Sequence, residues 1–224
     1  MSVTPSAYRP EGTVYGVLLN FQREHALWAP RMDEAPYKGA PRAPVLYVKT
    51  ANTFSPSGAA ITLPRGADAV ELGASLGLVI GSDPRSASSP LDAVRGVVLM
   101  NDLSLPHASY YRPPVRFKCP DGFLGVGPRC IPRAEAGEFS SLVLTVRVDG
   151  QVVQAVDLRT LVRGPAQLLA DVSEFMRLSP GDVLMLGTDC LPDGARPRVR
   201  AGARIEISAP GFEPLVNTLV GESA

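Results

Sequence analysis

The chain has 224 residues, and its 22 basic and 22 acidic side chains cancel to a formal net charge of zero. That length buries one sizeable core and is short for two independent ones, so a single domain over 1–224 is expected. Charge balance removes the electrostatic reason to expect a nucleic acid or an anionic membrane surface as partner. A hydrophobic share of 45% with 20% charged residues excludes a disordered chain. The cysteines, Cys119, Cys130 and Cys190, are odd in number and lack a CxxC spacing, so they read as free thiols in a reducing compartment. The opening Met1-Ser2-Val3-Thr4-Pro5 lacks the basic segment and apolar core of a signal peptide, and no apolar run nears the roughly 18 residues of a membrane span. A soluble cytoplasmic protein is the expectation.

In chain order, strand-like runs fall at residues 14–20, 45–49 and 76–80. Ser89-Pro90-Leu91-Asp92 then supplies an N-cap serine, a proline at the first helical position and an acid at N3, so a short helix is predicted to start there. A strand over 97–103 follows, then one over 142–148. The second ends in Val148-Asp149-Gly150-Gln151, whose Asp-Gly pair supplies the positive φ angles of a type I′ hairpin turn. A helix is predicted from Pro165, with Leu168, Leu169, Val172, Phe175 and Met176 as its buried stripe, stopping before Ser179-Pro180-Gly181-Asp182. Strands over 183–186 and 204–208 complete the chain. Pro and Gly, 22 and 21 in number and spread throughout, suit many short strands and turns. Two proline-rich stretches, 29–44 and 106–133, read as long irregular segments, either active-site lids or rigid surface crossings.

The motifs of common hydrolases, nucleotide-binding loops and zinc sites are absent. His25 and His107 have no spaced partner and read as surface or hydrogen-bonded residues. What remains is Asp102 beside Ser104 at a strand end, followed by Arg112, Arg116 and Lys118. Read from residue types alone, this is either a seat for a hard metal ion or a set of ion pairs.

A wider pattern resembles the fumarylacetoacetate hydrolase family, and it runs in sequential order over nearly the whole chain. Tyr15-Gly16-Val17-Leu18-Leu19-Asn20-Phe21 is similar to the family's opening strand and Asn-Tyr turn. Pro44-Val45-Leu46-Tyr47-Val48-Lys49 and Ile61-Thr62-Leu63-Pro64 resemble its Phe-Lys-Pro segment and the loop after it. Leu78-Val79-Ile80-Gly81 and Asn101-Asp102-Leu103-Ser104 resemble its second strand and its Asn-Asp-Val-Ser. Lys118 with Asp121-Gly122-Phe123 and Gly127-Pro128, then Pro180-Gly181-Asp182 with Gly187-Thr188, match its later blocks. Within the family, Pro36-Tyr37-Lys38, Leu103-Ser104-Leu105-Pro106 and Tyr111-Arg112-Pro113 resemble the half-chain or subunit of its homoprotocatechuate-pathway isomerase/decarboxylase branch.

The resemblance implies an α+β fold, a rolled mixed β-sheet with a few covering helices. It implies a Mg²⁺ or Mn²⁺ ion held by three carboxylates, Asp102 among them, and chelated by a small 2-oxo or dicarboxylate substrate. Lys118 and Asp102 become the catalytic candidates, with Lys118 as the cation near a developing enolate. Arg112, Arg116 and Thr188 become the substrate-binding candidates. The implied activity is decarboxylation of 5-oxopent-3-ene-1,2,5-tricarboxylate and isomerisation of 2-hydroxyhepta-2,4-diene-1,7-dioate, in a homo-oligomer or a hetero-oligomer with a related subunit.

The chain departs from the family at the metal. The family's Glu-x-Glu pair stands eight and six residues before the glycine that closes its Val-Ile-Gly strand, and counting back from Gly81 gives Gly73 and Ser75. Glu71, the nearest carboxylate, lies two residues early and roughly 7 Å further along a strand, so it reads as a surface or strand-end acid. Glu24 stands where the family has a histidine, and His25 comes one residue later. Three readings follow: a catalytic subunit with a weak metal or none, a non-catalytic partner of a chain that keeps both glutamates, and a relative acting on another small 2-oxo acid.

Overall fold

The computed structural model describes residues 7–107 and 113–221. The Tyr111-Arg112 pair singled out above lies outside them. Strand β1 (Val14–Leu18) leads into helix α1 (Gln22–Met32), and β2 (Val45–Lys49), β3 (Phe54–Pro56), β4 (Ala60–Thr62), β5 (Val70–Glu71), β6 (Ala74–Ile80) and β7 (Val94–Asp102) follow. Helix α2 (Val115–Lys118) precedes β8 (Leu124–Val126), β9 (Ile131–Pro132), β10 (Val143–Val148) and β11 (Gln151–Asp157). Helix α3 (Pro165–Ser173) leads to β12 (Val183–Met185), β13 (Arg198–Val199), β14 (Arg204–Ser208) and β15 (Leu215–Val220).

These strands form the mixed, rolled arrangement expected. An eight-stranded sheet runs β2-β1-β12-β6-β7-β8-β3, with β9 also paired to β7. Within it the β1–β12 and β3–β8 pairs are parallel and the others antiparallel. A five-stranded sheet, β11-β10-β14-β15-β4, packs against one face, and β13 and β5 make a small ribbon. Strand β6 is buried on both faces. Its Leu76, Leu78 and Ile80 enter the large core between the sheets, and Val79 enters a smaller cluster with Tyr47, Val98, Met100 and Leu124. Burial on both faces is why Leu76–Ile80 reads as a continuous apolar run rather than an alternating one.

The hairpin is as predicted, with Asp149 at φ 49° and Gly150 at φ 82° between β10 and β11. The serine-proline signal at 89–92 produces a single 3-10 turn, Pro90–Ala93, with the Ser89 N–H donating to the Asp92 carboxylate. Helix α3 buries Leu168, Leu169 and Val172, but Phe175 lies beyond the helix end and is 54% exposed, so it is not part of the core stripe. The stop at 179–182 is built by Asp182, which accepts from the backbone N–H groups of Ser179 and Thr13, both at 2.8 Å.

Both stretches read as irregular contain structure. Residues 29–32 belong to α1, which carries Pro30 inside it. Only Glu24 and Met32 of α1 are buried, so it has no apolar stripe to betray it. Residues 124–126 are β8, buried and paired with both β7 and β3. The 106–133 stretch is therefore partly sheet and not one long lid.

Gly16 in β1 sits directly across from Tyr47 of β2, and a Cβ at position 16 would overlap the Tyr47 ring. We expect Gly16→Ala to cost about 1–3 kcal/mol through overpacking. A thermal melt matching the wild type would refute this use of the glycine.

Candidate active site: a buried carboxylate between two lysines

Alternation along β2 puts Tyr47 and Lys49 on one face, and both are buried. That face meets the C-terminal end of β7, where Asp102 is the last residue. Short helix α2 delivers Lys118 to the same point. Lys118 Nζ donates to Asp102 Oδ2 at 2.6 Å, and Lys49 Nζ stands 2.9 Å from Oδ1. The Tyr47 hydroxyl donates to the same carboxylate. Lys49 also donates to the carbonyls of Leu103 and Lys118, tying α2 to β7. The three charged side chains are at most 2% exposed.

Burial alone would push the Asp102 carboxyl up, but the ammonium groups of Lys118 and Lys49 outweigh it and hold it well below the usual range. Burial pushes Lys118 down to about 8; Asp102 opposes that shift, while Arg196 and Lys49 reinforce it. Burial, with the Asp102 charge beside it, holds the Tyr47 phenol well above its ordinary value. At neutral pH Tyr47 is thus a neutral donor to a fixed anion.

A second group adjoins the first. Gly187, at φ 100°, turns the chain after β12, and Thr188 follows, 4% exposed. Its Oγ1 accepts from Arg196, whose other terminal nitrogen pairs with Glu24 of α1. Gly73 is the hinge between the two groups. A Cβ there would stand 2.6 Å from the Asp102 carbonyl oxygen and 2.7 Å from the Thr188 methyl. Strand pairing and alternation put Ser75 on the face of Met100 and Asp102, and its buried Oγ has no hydrogen-bond partner among the described residues. Asn20 braces the arrangement by bonding the backbones of Arg163 and Leu186.

Of the residues expected to act together, the fold unites Asp102, Lys118 and Thr188, with Gly73 and Ser75 beside them. Arg116 is exposed and lines a separate cavity of about 710 Å³ with Arg65, Arg198 and Arg200. Arg112 lies outside the described residues. His107 stacks on Phe117 at 4.7 Å and sets Nδ1 3.0 Å from the Leu105 carbonyl, a structural role. Glu71 does end a strand, but it is 9% exposed and bonded to Arg198 at 2.9 Å, so it is not a surface acid. Sequence reasoning assigned no role to Tyr47, Lys49 or Arg196. The signal for the first two was a lysine on the apolar-paired side of an alternating strand.

The donor set does not fit Mg²⁺ or Mn²⁺. Asp102 is engaged by two ammonium groups and a phenol, and Glu24 and Glu71 are each engaged by an arginine. A dication at Asp102 would face Lys49 and Lys118 within a few ångströms, with Gly73 and Ser75 offering no carboxylate. Among the described residues no group of three His, Cys, Asp or Glu side chains converges.

Residues 13–220 match the family model described as fumarylacetoacetate (FAA) hydrolase C-terminal. The chain is 33% identical over 214 residues to the 4-hydroxyphenylacetate degradation bifunctional isomerase/decarboxylase of Escherichia coli, covering 95% of this chain and 48% of that protein. It thus spans about half the length of the curated relatives it matches first. The 5-carboxymethyl-2-hydroxymuconate delta-isomerase of Mycobacterium smegmatis superimposes with a TM-score of 0.75 at 26% identity, over 98% of this chain and 82% of that one. Fumarylpyruvate hydrolase of Pseudomonas aeruginosa, solved in complex with Mn²⁺ and pyruvate, shares the fold at a TM-score of 0.74 and 23% identity, over 94% of this chain and 90% of that one.

Proposed function

This chain belongs to the fumarylacetoacetate hydrolase family, and on that premise we propose that it is a subunit of a 5-oxopent-3-ene-1,2,5-tricarboxylate decarboxylase/2-hydroxyhepta-2,4-diene-1,7-dioate isomerase. The observation that carries this reading is the desolvated Lys118 ammonium, locked by Asp102 at the end of β7. Loss of the C2 carboxylate, which is conjugated through the 3-ene to the 5-oxo group, leaves its electron pair on that carbonyl oxygen as a dienolate, and removal of a proton at a carbon conjugated to the oxo group does the same. A fixed ammonium in a water-poor site stabilises that oxygen without having to reorganise. Lys118 Nζ also holds a proton that it can deliver to the enolate carbon or oxygen, with a pKa of about 8 suited to transfer near neutrality. Asp102 keeps Lys118 charged and aimed, and Tyr47 and Lys49 keep Asp102 in place.

A second reading is favoured by Gly73 and Ser75 and by the half-length match. In it this chain is a non-catalytic partner that supports a related subunit bearing both glutamates. The test is to purify the chain alone, measure bound Mg²⁺ and Mn²⁺, and follow decarboxylation with and without chelator. Turnover by the lone chain supports the catalytic reading. No turnover alone, with activity appearing on adding a Glu-x-Glu-bearing subunit, replaces it by the partner reading.

A further inference from the structure

The cavity of about 710 Å³ that lies apart from the Asp102 cluster gathers four guanidinium groups from three stretches of the chain. The run Pro197-Arg198-Val199-Arg200 alternates, so Pro197 and Val199 are buried while Arg198 and Arg200 face outward. Arg65 stands at the tip of a turn closed by the Ala67 N–H, which donates to the Pro64 carbonyl at 3.0 Å. Gly66, at φ 79°, supplies the left-handed position that such a turn requires. Arg116 comes from α2, two residues before buried Lys118 and turned outward. Between the arginines the cavity wall is apolar, with Pro64, Leu105, Pro106 and Phe117. The Leu105 N–H donates to the Phe117 carbonyl at 2.9 Å and joins the two segments that carry this wall.

These guanidinium groups are open to a ligand. Arg198 is held by Glu71, whose Oε1 accepts from Nε at 3.1 Å and Nη2 at 2.9 Å, and its Nη1 is uncommitted among the described residues. Arg65, Arg116 and Arg200 form no ion pair among the described residues. Asp68 is the one carboxylate of the cavity wall. Of the residues outside the description, Glu222 would add a carboxylate and Arg112 a further guanidinium. Cations gathered on one concave surface focus a positive potential that draws anions in. The volume lies within the roughly 300–1,000 Å³ of small-molecule sites. Guanidinium pairs bidentately with carboxylate and phosphate alike, so the spacing decides between them. A phosphate concentrates its charge on one group, whereas four guanidiniums set around an apolar wall match charges separated by a carbon skeleton.

We propose that this cavity is a binding site for a small organic di- or tricarboxylate. Its carboxylates pair with Arg65, Arg116, Arg198 and Arg200, and its carbon skeleton lies on Leu105, Pro106 and Phe117. The site is separate from the Asp102 cluster and does not rest on the reaction proposed above.

The test is isothermal titration calorimetry of the full chain with propane-1,2,3-tricarboxylate, in metal-depleted buffer of low ionic strength. The Kd is expected to be at least ten-fold lower than for inorganic phosphate or acetate, and to rise with added NaCl. Arg65→Gln combined with Arg200→Gln is expected to weaken binding at least ten-fold, and lysine at both positions to recover part of the loss. Both side chains are exposed, and a thermal melt checks that the double variant keeps its fold. Arg85→Gln combined with Arg177→Gln removes the same charge at exposed pairs with Asp83, beyond the end of β6 remote from Asp102. That control is expected to bind within about two-fold of wild type. No tricarboxylate binding, phosphate binding as tight, wild-type affinity in the Arg65/Arg200 double variant, or an equal loss in the control overturns the proposal. Absence of decarboxylation with this binding intact removes the proposed reaction and leaves the site standing. Decarboxylation without this binding does the reverse.

Discussion

Asp102→Ala is expected to destabilise the fold by about 3–5 kcal/mol, because it strands two buried ammonium groups that share one carboxylate. Lys49 and Lys118 cannot reach water without opening the β2–β7 junction, since both are nearly fully buried. A simple cavity explanation makes a different forecast. Replacing all three charges together, as in Lys49→Met, Asp102→Leu and Lys118→Met, should recover most of the loss if electrostatics cause it. Urea unfolding at pH 7 measures both, and a loss below about 1 kcal/mol for Asp102→Ala would show the pairing to be energetically idle.

The same carboxylate gives the effect a pH signature. Its folded pKa lies below the unfolded value of about 3.9, so its contribution is fully present above about pH 4 and is lost as pH falls below that. The stability gap between wild type and Asp102→Asn should therefore narrow in acid. Lys118 has the opposite arrangement. Its folded value of about 8 lies below its unfolded value of about 10.4, so its charging penalty is in place at pH 7 and is relieved as pH rises between the two. Wild type should gain stability relative to Lys118→Met across that alkaline window.

Lys118→Met is also expected to lower decarboxylation by about 10²–10³-fold, the usual cost of deleting one preorganised donor to a developing oxyanion. The loss should fall mainly on kcat rather than KM, since the interaction strengthens as the oxygen charges. Added Mg²⁺ or Mn²⁺ should not rescue the variant, because neither Gly73 nor Ser75 supplies a ligand. A drop smaller than about three-fold would remove Lys118 from the chemistry and leave it as a structural partner of Asp102.

Much of the fold was legible without coordinates. The strands at 45–49 and 204–208, the Asp149-Gly150 turn and the Asp182 stop depend on alternation, backbone φ preference and local capping, all of which lie within a few residues of chain. Helix α1 escaped because its buried contacts are Glu24 and Met32, so no apolar period marks it. Strand β8 escaped because its three residues lie among prolines and owe their strand state to β7 and β3 on either side.

The candidate site divides along the same line. The order of motifs, with Asp102, Lys118 and Thr188 among them, pointed to one family, and counting back from Gly81 put Gly73 and Ser75 where its glutamates are expected. Which cation would face Asp102 was not readable. Arg116 and Lys118 are two residues apart, yet one lines an exposed cavity and the other is buried against the carboxylate. Lys49 and Arg196 come from 53 residues before and 94 residues after Asp102 in the chain. Local pattern encodes which backbone a segment prefers and which side chains share a face. Charge pairing instead depends on distance and desolvation between segments far apart in sequence, and these exist only once the sheet has closed. The sequence alone thus pointed to the family and placed Gly73 and Ser75 where its paired glutamates are expected; the tertiary structure decided that Lys49 and Lys118 flank Asp102.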